Sequence, residues 1–198
     1  MRTGIMGGTF SPIHNAHLLI AEMAREEYKL DRIIFMTGGN PPHKEASVSS
    51  QHRFNMTHIA ISGNSAFIDD DFEITRKEKS YTVHTLEYLT EKYPDDDLFF
   101  IIGEDSLEDL PKWYEPQRIL SMATLLVFPR KSRKTLIETL DIMRKKFDGN
   151  ILPIDAPVIE LSSTEIRERI HSGKTVRYML PDGVLDYIKK NNLYGERK

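Results

Sequence analysis

The chain has 198 residues, 39% of them hydrophobic, and 27 Lys and Arg stand against 30 Asp and Glu for a formal net charge of −3. That length suits one well-buried core, and a near-neutral balance with both signs interspersed argues against a nucleic-acid-binding surface or an electrostatic membrane anchor. With no cysteine there are no disulfides, thiolate metal sites or thiol nucleophiles, and with neither an apolar leader nor an 18-residue apolar run the expectation is a cytoplasmic protein without a membrane span.

In chain order, the apolar run 4–6 predicts a strand. The stretch after it, Gly7-Gly8-Thr9-Phe10-Ser11-Pro12-Ile13-His14-Asn15-Ala16-His17, predicts a turn opening a helix. Backbone without Cβ at positions 7 and 8 can approach an anion closely, and the first N–H groups of the helix point at it along the positive end of the dipole. His14 and His17 are three residues apart, so both imidazoles fall on one side of the turn and can donate to the same oxygens. Taken singly, a tight Gly-Gly turn or a capping histidine would explain either feature; together they predict a phosphate site. Leu19, Ile20 and Met23 give this helix an apolar face.

The run 33–36 is a second strand, followed by Gly38-Gly39-Asn40-Pro41-Pro42-His43-Lys44, a loop stiffened by two prolines from which Lys44 can reach phosphates. Phe54, His58 and Ile61 recur at helical spacing. Residues 66–75 read as an extended segment broken by Asp69-Asp70-Asp71, where consecutive residues face opposite ways and a solvated turn is expected rather than a metal site. Ser80-Tyr81-Thr82 opens a helix whose inward stripe is Val83, Leu86, Leu89 and Tyr93. The free N–H groups of the helix start could donate to a carboxylate, unless Ser80 or Thr82 serves only as a cap.

The run 98–102 is a strand, and Gly103-Glu104-Asp105-Ser106 follows it, with Asp105 placed to accept from ribose hydroxyls or to cap a helix. Trp113, the sole tryptophan, lies between Pro111 and Pro116 in a predicted loop, as a core plug or as a platform on which a ring can stack. A further strand at 124–128 leads to the basic run 130–134, expected to be a solvated loop, with a triphosphate-facing loop as the alternative. A helix to about Phe147 and short strands at 151–152 and 158–161 come next. Ser162-Ser163-Thr164-Glu165-Ile166-Arg167 has the spacing of a capping box. The cap leaves Arg167 unexplained, since a cation in the first turn is disfavoured unless an anion compensates. The last predicted helix spans 181–191, with Asp182 as its cap.

Short continuous apolar runs alternating with amphipathic helices predict an α/β fold: a doubly wound parallel sheet with helices on both faces. Ligands are then expected beyond the carboxyl ends of the strands, at the switch point. One domain, 1–198, is expected, with 162–198 as a small C-terminal helical part.

The Gly-Gly-Thr-Phe turn with His-x-x-His, paired about 150 residues later with Ser-Ser-Thr-x-Ile-Arg, resembles the nucleotidyltransferases that carry an HxGH motif on a Rossmann-like sheet. Ser11 stands where that family usually has Asp, and Ala16 where it has Gly. Pro-Pro-His-Lys, Ser-Tyr-Thr and Pro-Lys-Trp-Tyr, in that order between the two signatures, narrow the resemblance to bacterial nicotinate-mononucleotide adenylyltransferases, over nearly the whole chain. The resemblance implies transfer of AMP from ATP to nicotinate mononucleotide, giving nicotinate adenine dinucleotide and pyrophosphate on the way to NAD. It implies His14, His17, Lys44 and Arg167 as catalytic residues. It implies Gly7, Gly8, Thr9, Phe10, Gly103, Asp105, Ser162, Ser163, Thr164 and Arg167, with the two histidines, for ATP. For the mononucleotide it implies Lys44, Tyr81, Thr82, Asp105 and Trp113, the last stacked on the nicotinate ring. Mg²⁺ would be held mainly by ATP oxygens and water, without a protein cage. His84 departs from the Asp usual at its place. The rival readings are another adenylyltransferase of the superfamily, acting for instance on phosphopantetheine, and a nucleotide-binding regulator without turnover; Trp113 and the 41–44 loop speak against the first. Association into a homo-oligomer stays open.

Overall fold

The computed structural model describes residues 1–40, 47–76 and 78–195. Six parallel strands form one sheet in the order β3-β2-β1-β4-β5-β6. They are β1 (Arg2–Gly8), β2 (Arg32–Thr37), β3 (Phe67–Asp70), β4 (Asp97–Gly103), β5 (Ala123–Phe128) and β6 (Ile151–Pro153). Their apolar runs are continuous rather than alternating because both faces are covered. Ile33, Ile34, Phe35 and Met36 are all fully buried, pointing alternately to the two faces.

On one face the core joins Ile33, Phe35, Phe99 and Ile101 to α1 (Asn15–Glu27), α2 (Ser50–Ile61), α7 (Ser163–His171) and α8 (Asp182–Lys190). On the other, Ile34, Met36, Phe100 and Ile102 meet α3 (Thr82–Lys92), α4 (Glu104–Asp109), α5 (Pro116–Met122) and α6 (Arg133–Lys146). The doubly wound expectation therefore holds. The winding reverses between β1 and β4, which pair side by side, and the loops leaving their carboxyl ends diverge there to open a crevice.

Several expectations shift. The stripe of α1 is Ala16, Ile20, Ala21 and Ala24, while Leu19 is 47% exposed. In α2 the buried residues are Arg53, Met56, Thr57 and Ile61, and His58 faces solvent, because the helix turns an arginine inward. Asp69 and Asp70 belong to strand β3 rather than to a solvated turn. Asp70 is 7% exposed, and its Oδ2 accepts from Lys92 Nζ at 2.8 Å, so a partner on α3 offsets its burial. Residues 158–161 form no strand, since Pro153 at the end of the edge strand β6 and Pro157 beyond it each remove a ladder donor. Helix α8 starts at Asp182, whose carboxylate lies in the first turn without capping it; the capping position is Pro181. Helices α4 and α5 flank the loop expected between Pro111 and Pro116; α5 went unread in the sequence, where Pro116 at its start was the available signal. Among the described residues, no helix is long and apolar enough to cross a membrane.

Candidate active site

Three adjoining cavities lie along the crevice, and Ser106 lines all of them. The central one, about 310 Å³, is walled by Gly7, Gly8, Thr9, His17, Gly38, Glu73, Thr82, Gly103 and Trp113. At one end a cavity of about 630 Å³ is bounded by Tyr81, Thr82, Asp105, Trp113 and Tyr114. At the other, one of about 380 Å³ is bounded by His14, His17, Gly103, Asp105, Arg130 and Ser162 to Thr164. Two regions far apart in sequence, 7–17 and 162–164, thus share one wall.

The phosphate turn is held from below. Gly8 has no Cβ where one would lie 2.7 Å from the ring of Phe10, and Phe10 adopts a left-handed φ of 47° that tucks its ring into the core. Phe10 is 2% exposed, and its edge meets the ring of His17 at 5.1 Å, so it supports the turn beneath the cavity wall formed by Gly7, Gly8 and Thr9. His14 occupies the capping position of α1 in extended conformation, and its backbone N–H donates to His17 Nδ1 at 3.2 Å. With Nδ1 accepting, the proton of the neutral His17 ring sits on Nε2. The two rings stack at 3.7 Å.

Burial, then the charge of Arg130, lowers the pKa of His14 to about 4. His17 is pushed well below its usual value by burial, by His14 and by Arg130. In the unliganded protein both imidazoles are neutral at physiological pH. The first N–H groups of α1 are less available than the sequence suggested. That of Asn15 donates to the Met179 carbonyl at 3.0 Å and that of His17 to the His14 carbonyl at 2.9 Å.

Helix α7 offers more. Ser162 Oγ accepts from Glu165 N–H at 3.2 Å as the cap, and Ser163 Oγ donates to the Pro12 carbonyl at 2.8 Å. The amides of Ser163 and Thr164 have no partner among the described residues and stand at the positive end of the dipole, on the cavity wall. The structure does not bring Arg167 to that wall. Its guanidinium donates to the Ser11 carbonyl at 2.7 Å and to Thr164 Oγ1 at 3.2 Å, behind the turn, and lines a separate surface cavity with Tyr194. Lys44 lies outside the described residues.

At the opposite end, Ser80 does not cap α3. Its hydroxyl accepts from Gly39 and Asn40 N–H, each at 3.2 Å, which ties the loop after β2 to the start of α3. Of the expected pair, Tyr81 and Thr82, the Tyr81 N–H is occupied, donating to the Lys79 carbonyl at 3.1 Å, so the amides without a partner among the described residues at the dipole's positive end are those of Thr82 and Val83. Trp113 is half-buried. Its edge rests on Phe100 at 6.4 Å, and it forms part of the wall of both the central and the outer cavity, so it is no enclosed core plug. Asp105 sits at the junction of the two end cavities.

Three residues that sequence reasoning passed over hold this site together. Arg53, 1% exposed, donates to the carbonyls of Thr9 at 2.7 Å and Gly39 at 3.1 Å, and also to that of Gly38, so it bolts the loop after β1 to the loop after β2. Gly39 is required beside it, because a Cβ there would lie 1.9 Å from the Glu73 carbonyl. Glu73 accepts from Thr85 Oγ1 at 2.6 Å; burial raises its pKa against the hydrogen bonds it receives from Thr85, Ser80 and Gly39. Glu104 is fully buried at the start of α4 and accepts the backbone N–H groups of Arg130 and Lys131 at 3.0 and 3.2 Å. Arg130, expected in a solvated loop, stands in the phosphate cavity. None of the three carries a motif, since an arginine or glutamate reads as surface until its partners are known.

Comparison with known proteins agrees with this geometry. A sequence model of the family described as cytidylyltransferase-like matches residues 5–169. A protein of Lachnoclostridium phytofermentans named "Probable nicotinate-nucleotide adenylyltransferase" is 40% identical, over 98% of each chain. One of the same name from Desulfitobacterium hafniense is 43% identical over 98% of this chain and 95% of its own. Among solved structures, the Plasmodium falciparum nicotinic acid mononucleotide adenylyltransferase complexed with NaAD superimposes with a TM-score of 0.77 at 22% identity, over 98% of this chain and 97% of that one, and so shares the fold.

Proposed function

The chain belongs to the cytidylyltransferase-like family, and we propose that within it the protein is an adenylyltransferase moving AMP from ATP to nicotinate mononucleotide, with nicotinate adenine dinucleotide and pyrophosphate as products. The observation that carries this reading is the crevice itself. The histidine pair and the start of α7 stand at one end, and Trp113 and the start of α3 at the other, across the switch point between β1 and β4. The full-length relatives at 40 and 43% identity bear the same name.

A phosphate oxygen of the mononucleotide attacks the α-phosphorus of ATP in line; the new P–O bond forms as the bond to the β-phosphate oxygen breaks, and pyrophosphate leaves. The attacking group is already an anion, so no residue need act as base, and the protein's work is positioning and charge stabilisation. Neutral His17 donates from Nε2 to the α- and β-phosphate oxygens and His14 joins it, while the Ser163 and Thr164 amides take the outer phosphates. Lys44, outside the described residues, is assigned to the same phosphates on its sequence motif alone. Arg167, kept on the Ser11 carbonyl, supports the turn from behind. Asp105 accepts from ribose. At the far end Trp113 stacks on the pyridine ring, and the Thr82 and Val83 amides face its carboxylate.

Mg²⁺ would be carried on ATP oxygens and water rather than in a protein cage. When bound it would neutralise part of the charge on the departing pyrophosphate. A cytoplasmic location goes with this reading, and the cysteine-free composition fits it.

The test is pyrophosphate release from ATP with nicotinate mononucleotide, nicotinamide mononucleotide or phosphopantetheine. The nicotinate form is expected to lead the nicotinamide form in kcat/KM by at least about tenfold, or ~1.4 kcal/mol, because helix-start amides favour a carboxylate over a carboxamide. Equal rates would remove the carboxylate role of α3. Release with phosphopantetheine alone would replace the substrate, and no release at all would point to a regulator.

A further inference from the structure

We infer that Arg130 is the permanent cation of the triphosphate site and that the buried carboxylate of Glu104 is the residue that positions it. This rests on ATP occupying the cavity between the histidine pair and α7. A triphosphate brings several negative charges, and the wall meets them with two neutral imidazoles and two backbone amides. Arg167, the cation to which the sequence motif pointed, is engaged with Ser11 behind the turn. Among the described residues lining this cavity, Arg130 alone carries a permanent positive charge. That charge already reaches both histidines, where it contributes to their depressed pKa values.

The guanidinium is poised rather than committed. Its one ionic partner among the described residues is Asp105, 3.5 Å from Nε, beyond good hydrogen-bond length. The Nη nitrogens have no partner among the described residues and can grip phosphate oxygens in the forked geometry that lysine cannot match. What holds Arg130 there is the main chain. Glu104 Oε2 takes the N–H groups of both Arg130 and Lys131, pinning the loop after β5 to the start of α4.

Glu104 is 0% exposed and makes no ion pair among the described residues, and its Oε1 has no hydrogen-bond partner among them. Burial pushes its pKa up, but the Arg130 N–H, the Thr135 hydroxyl and the Lys131 N–H more than offset this and hold it below the usual glutamate value. Enclosing a carboxylate to satisfy two loop amides is costly. The arrangement makes sense if the loop's exact course matters, and what that course delivers is Arg130.

Calorimetric titration with ATP, and separately with inorganic pyrophosphate, tests both parts. Arg130→Ala is expected to weaken ATP and pyrophosphate binding about 10–100-fold, the scale of a lost hydrogen bond to a charged group, while KM for the mononucleotide moves less than about twofold. Arg130→Lys should recover part of the loss. Glu104→Ala should weaken ATP about tenfold with the mononucleotide KM unchanged, and Glu104→Gln, which keeps an acceptor oxygen, should stay within about threefold of the parent. ATP affinity within twofold of the parent in Arg130→Ala would overturn the assignment. Glu104→Ala that loses stability yet binds ATP normally would make Glu104 purely structural and overturn its positioning role, as would Glu104→Gln that weakens ATP as much as Glu104→Ala. The titrations use no acceptor, so failure of the nicotinate reading in the turnover assay would leave this result standing apart.

Discussion

The histidine pair shows how burial sets chemistry residue by residue. His17 presents a fixed Nε2–H because its other nitrogen is occupied by the His14 backbone. Removing such a preorganised donor in His17→Ala is expected to lower kcat by roughly 10²–10³ with a much smaller change in KM for ATP; steady-state kinetics on the folded variant decide it, and near-parental kcat would make the pair structural. Neutrality has a cost that pH reveals. The folded pKa of His14 is about 4 against 6.5 for the free group, so between these values the unfolded chain binds a proton that the folded one refuses. Stability therefore rises with pH across that window and levels off above it. For His14 alone the loss on going down to pH 4 amounts to about 3 kcal/mol. Urea midpoints measured from pH 4 to 7.5 should show a slope that shrinks in His14→Gln, and an unchanged slope would mean that His14 is not the group responsible. Sequence spacing made these two residues legible. It was silent on Arg53 and Glu104, whose partners are backbone carbonyls and amides of loops distant in the chain.

The elements divide the crevice between them, because each strand ends at the same edge of the sheet and delivers one loop. The stretch between Pro111 and Pro116, from the turn Leu110–Lys112 to the start of α5, reads as loop in sequence, since the two prolines interrupt any periodicity. In three dimensions it is a short helical ledge that carries Trp113 to the cavity and backs it with Phe100. A tryptophan so placed should report on the ring that stacks on it. Nicotinate mononucleotide is expected to change indole emission saturably, and Trp113→Ala to weaken its binding by about 0.5–1.5 kcal/mol beyond the lost area. ATP alone should do far less. Emission unmoved by saturating mononucleotide, together with a large fall in melting temperature for Trp113→Ala, would assign the residue to the core instead.

For the molecule as a whole, the C-terminal segment is more than an appendage. Ile166 of α7 and Val184 and Ile188 of α8 belong to the same buried cluster as Ile20 of α1 and Phe35 of β2. The Met179 carbonyl receives the first N–H of α1, and Tyr194 Oη lies 3.1 Å from Ser11 Oγ. The end of the chain thus clamps the phosphate turn near its beginning. Ile188 is 3% exposed, so Ile188→Ala is expected to cost about 2–4 kcal/mol of global stability. In urea this should appear as a shifted midpoint with an unchanged slope; a loss below about 1 kcal/mol would mean that α8 is only loosely attached.

The features legible in the sequence were those whose cause is local. Buried parallel strands need continuous apolar runs, the phosphate turn needs glycines followed by a helix start, and the cap of α7 needs Ser162 three residues before Glu165; each of these leaves its mark within a few residues. The doubly wound parallel sheet and a ligand crevice at its switch point followed from the alternation of elements, whereas the order β3-β2-β1-β4-β5-β6 came only with the structure. Only the tertiary structure could show that Arg167 turns to Ser11 while Arg130 enters the phosphate cavity, that Arg53 bolts two loops, and that Asp69 and Asp70 pair within the fold rather than meet solvent. A charged side chain reveals nothing of its destination along the chain, because its energy depends on which distant carbonyl, amide or opposite charge replaces the water it gives up.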